Sequence, residues 1–235
     1  MTAGRWLLLA LALAGCSNLS GDSDTPVLLE IRTPAGVGVS PPVEIGDTFQ
    51  LSARALNRDG DSVAATFSWR TPDTAFIFVE PATGRISGKA AGSARVQVIS
   101  GNLTSELVNF TVVPAAESLQ IVPPDSARVP ATDTASAPLV AELDTLNPAG
   151  PLAGRQIIYQ LTTIFGQPGD TASLAGGFMT RVASTNTLGQ PTTPVYVRAI
   201  PSLARPDSVL VEITALRPSG ALIPGSGQVF IVRFD

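Results

Sequence analysis

The sequence predicts an all-β chain built as two β-sandwich domains in tandem. Three observations carry this. From Pro26 onward apolar and polar residues alternate with a period of two, as in strands with one buried face. Gly, Pro, Asn and Asp interrupt these runs at short intervals, where turns demand special backbone angles. No segment carries a sustained helical apolar period flanked by caps.

The elements follow in chain order. Residues 1–15 hold a positive charge at Arg5, an apolar run over 6–14 and the small residues Ala14 and Gly15. These are the parts of an export signal that is removed. The run falls well short of the ~20 residues that a membrane-spanning helix needs. Leu13-Ala14-Gly15-Cys16 resembles the lipobox of bacterial lipoproteins. The resemblance implies cleavage between Gly15 and Cys16, a diacylglycerol on the Cys16 sulfur and an acyl chain, such as palmitate, on the new amino terminus. Two or three chains, at ~0.8 kcal/mol per buried methylene, hold a protein firmly at a bilayer. In Gram-negative members of that group an Asp directly after the Cys favours the inner membrane. Ser17 stands there in this chain and implies the outer membrane in such a host. The alternative is an ordinary secretory signal with an incidental Cys. Residues 16–25 are then a lipidated N-terminus and flexible tether, with the polar stretch SNLSGDSD at 17–24.

A first block spans 26–113. FQLSARAL sets Phe49, Leu51, Ala53 and Ala55 on one face; TFSWR pairs Phe67 with Trp69. SARVQVIS turns Ala94, Val96 and Val98 inward, and ELVNFTVV does the same with Val108, Phe110 and Val112. Turns are expected at 57–62, 80–85 and 101–102. A linker at 114–117 leads to a second block, 118–235. There APLVAELD alternates Leu139, Ala141 and Leu143 against Val140, Glu142 and Asp144. RQIIYQLTTI places Ile157, Tyr159 and Leu161 together, and TPVYVRAI, DSVLVEITAL and GQVFIVRFD complete the series. Each block has the ~100-residue size of one sandwich.

The first block resembles the bacterial Ig-like group 2 domain. The residues that carry the likeness are VEIGDTFQLSARALNRDGDSV and FSWRTPDTAFIFVEPATGRISGKAAGSARVQV, with Gly46, Trp69, Gly84, Gly88, Ala91, Gly92 and Ala94 at family positions. Its segment TAFIFVEPATG is longer and more apolar than the family's usual one. More loosely, NPAGPLAGRQIIYQL and STNTLGQPTTPVYVRA resemble invasin/intimin-type Ig-like domains. Both resemblances imply immunoglobulin-like sandwiches.

Composition narrows the function. The formal charge is −4 with no basic run, and Lys89 is the only lysine, so nucleic acid is not an expected partner. There is no His, and the single Cys is the proposed anchor. The commonest acid–base and thiol nucleophile chemistries are therefore missing. Neither a nucleophile-elbow motif, a phosphate-cradling Gly loop nor a metal-spaced cluster is present. No catalytic residue, cofactor or metal is assigned, and the chain is read as a non-enzyme.

Remaining candidates are surface features. Trp69 reads as a core residue, with carbohydrate stacking as the alternative; Asp59-Gly60-Asp61 reads as a hairpin turn rather than a Ca²⁺ ligand pair. Asp125, Asp133 and Asp170 read as turn formers. In TAFIFVEP, Phe76 and Phe78 share one face, with Ile77 and Val79 on the other. Such a strand is either buried on both sides or an edge open to a partner. QLTTIFGQPGDTASLAGGF offers a second candidate, a loop bearing Phe165 and Phe178. The expected function is adhesion, recognition or structural spacing at the cell surface, toward a protein or carbohydrate partner. The alternative is a periplasm-facing accessory or scaffold subunit of an envelope complex.

Overall fold

The computed structural model describes residues 24–33, 36–37, 40–200 and 204–235. The expected signal peptide at 1–15, Cys16 and most of the expected tether lie outside these residues. Among the described residues every regular element is a β-strand, and no helix is long and apolar enough to cross a membrane.

The strands gather around two separate cores. Three sheets enclose the first. One runs Gly36–Val37, Leu28–Thr33, Ser52–Leu56, Ser62–Val63 in spatial order. A second runs Leu103–Thr104, Gly92–Ser100, Val108–Val113, Val43–Glu44, with Ser68–Arg70 also paired to Gly92–Ser100. The third runs Thr48–Gln50, Arg85–Gly88, Ile77–Val79. Leu29, Ile31 and Ala55 from the first sheet meet Val96, Val98, Phe110 and Trp69 from the second and Phe49, Ile77 and Ile86 from the third. Each large apolar side chain so buried stabilises the fold by ~1.5–3 kcal/mol.

The predicted run FQLSARAL differs in one respect. Its inward face is as read, but it forms two strands in two sheets, Thr48–Gln50 and Ser52–Leu56. The chain crosses over at Leu51, whose amide donates to Gly84 O at 3.1 Å. The Gln50 side-chain amide pins the crossover by donating to Leu51 O and Thr83 O. Alternation records which face is buried and is silent about which sheet receives the strand.

The second core lies between a sheet ordered Ser118–Ile121, Ala141–Leu146, Ala149–Pro151 and one ordered Ser126–Val129, Gln228–Phe234, Ser208–Thr214, Gln156–Phe165, Thr180–Ser184. The pair Ala172–Leu174 and Val197–Ala199 adds to it. Tyr159 ties the sheets together: its ring stacks on Phe230 at 6.4 Å, and its hydroxyl accepts from Ala141 N at 3.2 Å. Burial pushes the Tyr159 phenol pKa upward. The last strand, Gln228–Phe234, is an inner one, parallel to Ser126–Val129 and antiparallel to Ser208–Thr214.

Among the described residues no strand pair joins a strand before Pro114 to one after Glu117. The stretch between them is nonetheless packed. Ala115 and Ala116 are buried, and Glu117 N donates to Asp144 O. The Glu117 carboxylate accepts from Leu146 N at 2.7 Å and the Thr145 hydroxyl at 3.3 Å.

Candidate functional site

The apolar strand in the first sandwich is an edge. Phe76 N and Ile77 N both donate to Asp73 O, forming a tight turn that launches Ile77–Val79. The Asp73 carboxylate is held in turn by Arg95, through its backbone N, Nε and Nη2. That grip lowers the Asp73 pKa below the usual carboxylate value. Ile77 and Val79 enter the core, whereas Phe78 is 53% exposed. Arg85–Gly88 pairs along one side of this strand, and nothing pairs along the other among the described residues. An open groove of about 250 Å³ runs beside it, lined by Trp69, Arg70, Ile77, Val79, Pro81 and Lys89 among others.

Phe76 and Phe78 part company. Phe76 packs against the first core, its ring lying where a Cβ on Gly92 would be, 2.6 Å away. Only Phe78 faces solvent. The strand is therefore buried on one face and open along one edge, between the two alternatives the sequence left. In the second sandwich Phe165 is 47% exposed at the end of the Gln156–Phe165 strand, opposite Ser208. Phe178, 55% exposed, precedes Thr180–Ser184, which first pairs at Gln160. Phe178 bridges to Leu174 and stands outside the sheet that ends in Phe165.

Trp69 is a core residue, its indole covering Gly84. Asp59 and Asp61 donate their backbone amides to the Asn57 side-chain oxygen, an Asx-type turn. Asp170 accepts from Gln167 N, Asp133 N donates to Pro130 O, and Asp125 O accepts from Ile231 N. All of these are turn or loop roles. Among the described residues no three of His, Cys, Asp and Glu are grouped as metal ligands. Cys16 and Gly15 lie outside the described residues.

One cluster was not anticipated. Glu44 is fully buried, yet its partners come from the other sandwich. Arg155 Nη2 lies 2.7 Å from Glu44 Oε1, and Arg217 Nε lies 3.7 Å from Oε2. Arg155 also donates to Pro114 O at 3.0 Å, so it grips the connecting segment as well. The second sandwich holds Arg155 in place through Thr185, whose hydroxyl accepts from Arg155 N and donates to Leu152 O. Arg217 opens a turn closed by its own amide donating to Ala221 O. On the first sandwich, Val43–Glu44 runs parallel to Val112–Val113. The contact with the second sandwich is chiefly ionic, the nearer arginine at 2.7 Å and the farther at 3.7 Å. Burial raises the Glu44 pKa; Arg155, the Ala116 amide and Arg217 pull it back without cancelling the rise, and Asp47 adds to it.

No protein-family model matches the sequence, and no curated protein matches it. Solved structures similar to it include the Yersinia pseudotuberculosis adhesin InvE, at 13% identity and TM-score 0.41, covering 92% of this chain and 61% of that one. The fibronectin(III)-like modules of Clostridium thermocellum CbhA share 13% identity at TM-score 0.43, with 88% of this chain and 93% of that one covered. The D00-D0 domain of intimin shares 16% at TM-score 0.30, covering 87% and 99%. The chain thus spans less than two thirds of the InvE chain.

Proposed function

We propose that this protein is a non-catalytic, lipid-anchored envelope protein that presents two immunoglobulin-like domains at the cell surface for recognition or adhesion. The observation that carries the reading is the Ile77–Val79 edge. It combines an unpaired backbone edge, an exposed Phe78 and an adjoining groove with an apolar floor. Such edges take up extended partner segments through backbone hydrogen bonds, with side chains supplying selectivity. The lipobox-like LAGC supports attachment through Cys16, and Ser17 supports the outer membrane in a Gram-negative host. The partner is a protein or carbohydrate surface.

The test is protease treatment of intact cells beside a Cys16→Ser variant, followed by membrane fractionation. The expected outcome is a membrane-bound protein that is shaved from intact cells, with the variant lost from the membrane. A protein protected until the outer membrane is opened would overturn surface display and favour the periplasmic scaffold role. A variant that still sediments with membranes would overturn the anchor.

A further inference from the structure

A chain that joins two domains by a short segment leaves them free to bend and swivel unless something else fixes them, and interdomain motion is the ordinary expectation. Here the second sandwich touches Glu44 from two separate loops, through Arg155 and Arg217. The connecting segment supplies a third attachment, since Pro114 O is bound by Arg155 and Glu117 is tied to Asp144 and Leu146. Each arginine is itself positioned by backbone bonds within its own domain. We propose that Glu44, Arg155 and Arg217 form an orientation key that holds the two sandwiches at one fixed angle.

The physical case rests on what a buried ion cluster does. A buried carboxylate recovers only part of its desolvation cost from the attraction of its partners. Such clusters add little stability, and their best-attested use is to specify one arrangement over its competitors. An apolar joint tolerates sliding and rotation, because its attraction depends on area and not on direction. Glu44 does not: a rotation that withdraws the arginines breaks charge contacts at 2.7 and 3.7 Å, and one that keeps the joint closed leaves the carboxylate buried without them. The cluster penalises every angle but one. This inference is independent of which partner the edge strand takes.

The test uses the full chain carrying Cys16→Ser, with spin labels at Asn102→Cys in the first sandwich and Thr132→Cys in the second, both exposed positions. Pulsed electron spin resonance then reads the distribution of interdomain distances. The informative variant is the triple Glu44→Leu, Arg155→Met, Arg217→Met, which removes the charges together and leaves none stranded. We expect a single narrow distribution for the parent and one about twofold broader, or shifted, for the triple variant, with the melting temperature retained. An unchanged narrow distribution in a folded triple variant would show that packing and the connecting segment alone set the angle, and would overturn the proposal. Should the triple variant fail to fold, the near-isosteric Glu44→Gln decides by the same readout: broadening supports the key, and an unchanged distribution overturns it.

Discussion

Gly84 shows how tightly single positions are set. Its φ is a left-handed +75°, and a Cβ there would lie 2.4 Å from the Trp69 indole. Gly84→Ala therefore combines ~1–3 kcal/mol of backbone strain with displacement of the tryptophan. A lowered melting temperature together with altered Trp fluorescence is the expected result. At Glu44 the sign of the pH effect follows from its raised pKa. The folded protein holds that proton more tightly than the unfolded chain, so the group's contribution is fully present below the unfolded pKa and is lost as pH rises through the folded one. Arg155→Met should accordingly cost more when the carboxyl is ionised, since only Arg217 at 3.7 Å then faces it, and much less once the carboxyl is protonated or in a Glu44→Gln background. Denaturant melts of the single and double variants at two pH values measure this. Asp73 runs the other way: Arg95 lowers its pKa, so its contribution is present above the unfolded value and fades as pH falls through the folded one. A carboxyl-carbon NMR titration should place Asp73 below an ordinary Asp and Glu44 above an ordinary Glu.

At the scale of the element, the Ile77–Val79 strand sorts its neighbours cleanly. Phe78→Asp should leave stability within ~0.5 kcal/mol, because the ring is largely in solvent. Ile77→Asp should unfold the first sandwich, since it buries a charge among apolar side chains. If the edge is the recognition surface, Phe78→Asp also abolishes attachment of beads coated with the protein to the surface it recognises. Period-two alternation made the inward faces legible: Ala94, Val96 and Val98, or Ile157, Tyr159 and Leu161, are buried as the pattern implies. It could not reveal the sheet crossover at Leu51, nor that Phe76 folds back over Gly92 while Phe78 does not. Nor could it find the Glu44 cluster. In VEIGD, Val43 enters the first core and the charged Glu44 follows it directly, with nothing nearby in the sequence to pair with. Glu44 turns away from the first core, toward arginines in distant loops that no local pattern links to it.

At the scale of the whole molecule, the segment 114–117 reads as a linker in sequence and behaves as part of the packing. With Ala115 and Ala116 buried and Glu117 bonded on both backbone and side chain, it offers a protease no extended, accessible chain. Elastase, which favours small residues such as these alanines, should cut elsewhere first in the native protein. Mass spectrometry of early fragments checks this, and early cleavage after Ala115 or Ala116 would contradict it. Cleavage there should quicken in the triple variant that removes the key.

The placement of the Val108–Val113 strand has a mechanical consequence. It leads directly into the connecting segment, and it is flanked on both sides, antiparallel to Gly92–Ser100 and, at its end, parallel to Val43–Glu44. A pull transmitted from the second sandwich along this strand loads those hydrogen bonds in shear, so that they resist together and do not peel one at a time. A force that reaches the first sandwich through its neighbour is therefore met by several bonds at once.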